Sequence, residues 1–113
     1  MRALVIVLSL MASVASAADW TRLEGGDIRT ALDDKSLDYG AASQDFRASG
    51  ATDYYSGRPS SGRWDVRGDQ YCSVWPPSDT WACYDVDLSA DGTQVRFSRG
   101  GTDETVGTYV GGE

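Results

Sequence analysis

The stretch Gly62–Leu88, GRWDVRGDQYCSVWPPSDTWACYDVDL, decides the fold. It holds both cysteines, three of the four tryptophans and two of the three prolines. Apolar and polar residues alternate along it, and turn chemistry interrupts it at Gly68-Asp69 and Pro76-Pro77-Ser78-Asp79. Period-two alternation between such breaks reads as consecutive antiparallel strands. Cys72 and Cys83 are expected to form a disulfide across the second and third of them. A directly opposed antiparallel pair has nearly the Cα separation that a disulfide needs.

Turns on either side extend the pattern. A tight turn at Gly68-Asp69 sets Val66 opposite Tyr71 and Trp64 opposite Ser73, and the cysteine pair sets Tyr71 opposite Tyr84. A turn at Asp91-Gly92 sets Leu88 opposite Val95 and Val86 opposite Phe97, and one at Gly100-Gly101 sets Val95 opposite Val106. Side chains alternate faces along a strand. One face therefore collects Trp64, Val66, Tyr71, Tyr84, Val86, Leu88, Val95, Phe97 and Val106. The other collects Asp65, Cys72, Cys83, Asp85, Asp87 and Arg96. Slipping any strand by one residue would scatter that apolar face.

Upstream, Ile28, Ala31 and Leu32 repeat at helical spacing within 23–34, with Asp27 in the first turn where the helix dipole favours a carboxylate. Residues 44–55 read as two short strands around Ser49-Gly50, and 56–62, SGRPSSG, as a loop. The expected fold is mainly β: an antiparallel meander of about six to seven strands, curled or forming a partial barrel, with one short N-terminal helix to cover its apolar face.

The first residues point to export. Arg2 is followed by an apolar run over 4–14 and by Ala15-Ser16-Ala17, the pattern of a signal peptide with its cleavage site. The run is shorter than the ~20 residues of a membrane span. Segment 1–17 is read as signal peptide and 18–113 as one β-rich domain, periplasmic or secreted. An oxidising compartment agrees with the disulfide. A loop of this size, once closed, stabilises by about 3 kcal/mol in the chain-entropy model. The net charge of −7 disfavours nucleic acid and anionic membranes.

Histidine is absent. That removes Ser-His-Asp and Cys-His catalysis and the usual zinc ligands. The glycine pairs lack G-x-G-x-x-G spacing between a strand and a helix, so no dinucleotide cofactor is expected. A calcium loop starting at Asp87 would place Ser98 where a bidentate glutamate is required. Asp65, Asp85 and Asp87 share a face, but 17 of 113 residues are acidic and a solvated face explains them. Arg67-Gly68-Asp69 spans a turn and is a three-residue match. No catalytic residue and no metal or other cofactor is assigned. The candidate binding residues are Trp75 and Trp81, which flank the hairpin tip: aromatic rings there either close a small core over the disulfide end, the reading preferred on area, or stack on sugars or anchor a protein interface.

The order of features resembles a family of short secreted proteobacterial proteins of unknown function. The matching residues are L-x-G-x-x-I-x-x-A-L (Leu23–Leu32), F-x-x-x-G (Phe46–Gly50), G-x-W-x-V (Gly62–Val66), Y-C-x-x-W-P (Tyr71–Pro76) and W-x-C-Y-x-V (Trp81–Val86). Some similar proteins bear the name dihydrodipicolinate reductase. This chain lacks that enzyme's nucleotide-binding glycines and histidine-rich substrate motif, so the resemblance implies no activity. The sequence points to a non-enzymatic binding module whose partner is an envelope protein or glycan. A small hydrolase built on Asp65 with Arg58, Arg63 and Arg67 is the rival.

Overall fold

A computed structural model describes residues 19–111; the expected signal peptide lies outside the described residues. The elements are β1 (Trp20–Arg22), α1 (Gly25–Leu32), β2 (Lys35–Asp38), β3 (Ser43–Phe46), β4 (Ala51–Tyr55), β5 (Pro59–Arg67), β6 (Gln70–Val74), β7 (Ala82–Ser89), β8 (Gln94–Arg99) and β9 (Thr102–Tyr109). The expected mainly-β antiparallel meander with one short helix is what forms. From β2 to β9 each strand pairs antiparallel with the next, and β2 also pairs with β9. Eight strands thus close into a barrel, which leaves the meander no free edge to aggregate.

Most of the expected register holds. Val66 faces Tyr71, Trp64 faces Ser73, Cys72 faces Cys83, Tyr71 faces Tyr84, Val86 faces Phe97 and Leu88 faces Val95. The cysteines are bonded, with their Cα atoms 4.0 Å apart. One pairing differs. Val95 faces Gly107, and Val106 faces Arg96. A bulge between Phe97 and Arg99 shifts the β8–β9 ladder, which turns Val106 outward to 38% exposure. The loop expected over 56–62 is also shorter, because β5 begins at Pro59 and continues the ladder with β4.

β1 has no counterpart in the expected strands. It lies along the second half of β7, with Arg22 facing Asp87, on the edge that β6 leaves after Tyr84. Ionic contacts hold it there. Arg22 Nε donates to Asp87 Oδ1 at 2.8 Å, and Arg96 donates to Asp87 Oδ2 at 3.0 Å. The Arg96 guanidinium also lies 4.5 Å from the Trp20 ring centre. Asp87 is 2% exposed. A carboxylate buried that deeply requires such partners.

The barrel's two ends differ. Helix α1 plugs the end bearing the β5–β6 and β7–β8 turns. Ile28 and Leu32 are fully buried there, each worth roughly 1.5–3 kcal/mol of transfer free energy. The carboxylate of Asp69, in the β5–β6 turn, accepts from Gly25 N at 3.0 Å and satisfies one of the helix's free N–H groups. Asp34, at φ 58°, ends the helix in a left-handed conformation that aspartate tolerates. Above the helix the barrel is filled by Leu23, Leu37, Phe46, Trp64, Tyr71, Val86, Val95 and Phe97. Phe46 packs edge-on against Trp64 and Tyr71, with ring centres 5.8 and 5.7 Å away.

Candidate functional site

Packing stops short of the opposite end, where the β2–β3, β4–β5, β6–β7 and β8–β9 connections lie. A cavity of about 650 Å³ opens there, within the range of small-molecule sites. Eight-stranded barrels have interiors just wide enough for side chains or one small ligand. In this barrel α1 plugs one end, beside a smaller recess of about 480 Å³ whose lining includes Asp27 and Lys35, and the other end is left open. Aromatic rings from four strands and two connections frame the opening: Tyr39, Tyr54, Tyr71, Trp75, Tyr84 and Phe97. Gln44, Ser60, Ser73 and Thr105 add uncharged polar groups; Ser61 also borders the cavity, but its hydroxyl donates to Asp53. Among the described residues no charged side chain lines the cavity.

Two glycines seat two of the rings. A Cβ on Gly62 would lie 2.7 Å from Trp75 Cε3 and 2.5 Å from the Val74 carbonyl oxygen. A Cβ on Gly107 would lie 2.8 Å from Tyr39 Cε1. Each ring therefore lies close against the backbone of a strand, an approach only glycine permits. Tyr54 meets Trp75 at 70°, with ring centres 6.0 Å apart.

A hydrogen-bonded chain fixes the cavity floor. Thr52 Oγ1 donates to the Asp45 carbonyl at 2.7 Å, so it must accept from Gln44 Nε2, which sits 2.9 Å away. That orients the amide. Gln44 Nε2 also donates to the Tyr71 hydroxyl at 3.2 Å, and Gln44 Oε1 accepts from the Tyr39 hydroxyl at 2.7 Å. Trp75 Nε1 donates to Ser73 Oγ at 3.2 Å. Burial pushes the Tyr39 phenol far above its ordinary range. Burial also raises Tyr71, against the hydrogen bonds of Ser73 and Gln44 that oppose the shift. Both phenols are therefore neutral at physiological pH. Tyr54 and Tyr84 have hydroxyls that, among the described residues, make no hydrogen bond.

The aromatics singled out in the sequence separate. Trp75 is half-buried and lines the cavity. Trp81 is half-buried elsewhere, with the Arg67 guanidinium 4.0 Å from its ring centre. The acidic candidates are occupied. Asp65 pairs with Arg29 and Arg67, Asp85 with Arg22, and Asp87 with Arg22 and Arg96. Arg58 and Arg63 are exposed. Asp69 of the Arg-Gly-Asp turn is committed to α1, and Arg67 to Asp65 and Trp81. Asp91 serves its own turn: its Oδ1 accepts from Ser89 Oγ and from Thr93 N and Oγ1, bonds that hold its carboxyl below the usual range. Among the described residues no group of three metal-ligating side chains forms, and no helix is long and apolar enough to cross a membrane.

Tyr39 and Gln44 were not singled out in the sequence. The available signal was glycine inside two strands, Gly62 and Gly107, where a close approach is the usual reason. No family model matches the chain, and neither a curated protein nor a solved structure matches it.

Proposed function

We propose that this protein is an exported, non-catalytic binding module that takes a small uncharged molecule into the open end of its barrel. The observation that carries the reading is the cavity of about 650 Å³ lined by aromatic rings and neutral polar groups, on a chain whose net charge is −7. An ion entering it would lose hydration without gaining a counter-charge from the lining, a cost of several kcal/mol. An uncharged ligand with one apolar face avoids that cost. Tyr39 and Tyr71 are neutral phenols, the Gln44 amide is fully engaged, and Asp65, Asp85 and Asp87 are ion-paired, which supports binding over catalysis. The signal-peptide pattern and the disulfide favour a periplasmic or extracellular setting, and the resemblance to short secreted proteobacterial proteins agrees with it.

The test is a ligand-observed NMR screen of a mixed library of neutral and charged small molecules on mature protein. Ser60→Trp and Thr105→Trp, which place an indole at the rim, serve as blocked references. Neutral hits that vanish in both blocked variants support the proposal. Hits that are mainly charged, or that survive blocking, refute it.

A further inference from the structure

We infer that the ligand is an uncharged sugar ring, either a free saccharide or the exposed end of a glycan chain. This rests on the cavity being a binding site. Three observations narrow the ligand class. First, the lining is dual. Rings supply flat apolar faces, while Tyr54, Tyr84, Ser60, Ser73 and Thr105 supply hydroxyls. A purely apolar ligand would cut the Tyr54 and Tyr84 hydroxyls off from water with nothing in exchange. A ring with apolar C–H faces and hydroxyl edges satisfies both kinds of group.

Second, the one amide in the cavity is spent. Gln44 uses its oxygen on Tyr39 and both amide protons on Thr52 and Tyr71. Reading a nucleobase or peptide edge calls for fixed, directional donor–acceptor pairs, and among the described lining side chains none is left. The remaining readers are hydroxyls, each able to rotate and act as donor or acceptor. Such groups match other hydroxyls best.

Third, the cavity is a dead end. Phe46, Trp64, Ile28 and Leu32 fill the barrel below it. A chain cannot thread through, so only a terminus or a free saccharide fits. The space of about 650 Å³ suits a ring or two with bridging solvent. The guanidinium of Arg99 lies 5.4 Å from the Tyr84 ring centre but does not line the cavity.

Isothermal titration of mature protein tests this with named probes: methyl β-D-glucopyranoside, N-acetylglucosamine, maltotriose, α-cyclodextrin, glucuronate, glucosamine and indole. At least one neutral saccharide is expected to bind, at least tenfold more tightly than the charged sugars, and α-cyclodextrin, which has no chain end, is expected not to bind. Maltotriose binding more tightly than the monosaccharides assigns a chain end; monosaccharides binding as tightly assigns a free sugar. Tyr54→Phe and Tyr84→Phe should each weaken the bound sugar about fivefold, one hydrogen bond's worth, and leave indole within about twofold. Indole binding without any neutral sugar overturns the sugar assignment and leaves the cavity reading standing. Binding of none of the probes overturns both. Preference for glucuronate overturns the neutral-ring assignment and points to Arg99.

Discussion

Gly62→Ala probes the site through a single carbon atom. The new Cβ would sit 2.7 and 2.8 Å from the Trp75 ring and 2.5 Å from the Val74 carbonyl oxygen. The ring is able to swing, but the carbonyl belongs to β6 and moves only if the β5–β6 ladder opens near its Arg63–Val74 end. Overpacking of this kind costs about 1–3 kcal/mol. At roughly 4–8 °C per kcal/mol for a domain of this size, thermal unfolding should fall by several degrees to more than ten. The displaced indole should also lose its bond to Ser73 and its contact with Tyr54, so tryptophan emission should shift to the red. Circular dichroism melts and emission spectra of wild type and Gly62→Ala measure both effects. A melting point within about a degree of wild type and unchanged emission would refute the seating of Trp75 on Gly62.

Other outcomes follow from the same geometry. Cys72→Ser with Cys83→Ser should lower stability by about 3 kcal/mol in urea unfolding, the entropy of the lost loop closure. Asp87→Ala should cost about 3 kcal/mol, because it takes the buried carboxylate from both Arg22 and Arg96, and should speed hydrogen exchange in β1 more than in β4. Tyr39 and Tyr71 have folded-state phenols raised above the unfolded value of about 10, so their contribution is complete below that pH and disappears as pH climbs past it. A spectrophotometric titration should therefore show these two ionising only together with unfolding; smooth ionisation in folded protein would contradict it. Trp81→Ala should keep ligand binding while Trp75→Ala loses it, and equal losses in a titration would return the site to the hairpin tip.

The meander, its disulfide register and its apolar face were legible because local turns and period-two alternation encode them. Trp64, Tyr71, Val86 and Phe97 fall where that alternation places them. The β8–β9 register was not legible, because a bulge adds a residue that alternation does not announce and because Asp103 takes a positive φ at the start of β9. β1 is three residues long, and its reason for pairing is Asp87, 65 positions away in the chain. Full closure depends on β2 meeting β9, a contact between the ends of the fold that Gly107 permits by leaving room for Leu37 and Tyr39. The cavity was hidden for a related reason. Tyr39, Gln44, Tyr54 and Tyr84 look like half-solvated strand residues one by one and become a site only once the barrel closes around them.

The central claim is that the open barrel end, framed by Tyr39, Tyr54, Trp75 and Tyr84, is where this protein meets a small neutral molecule. Chemical-shift mapping of isotope-labelled mature protein, titrated with the neutral ligand that binds best, tests it most directly. The account predicts saturable shifts clustered on the Trp75 indole N–H and the backbone amides of Gln44, Tyr54, Ser73 and Tyr84, with β1 and α1 silent. Shifts centred on Trp81 and Arg67, or spread over the outer surface, would contradict it.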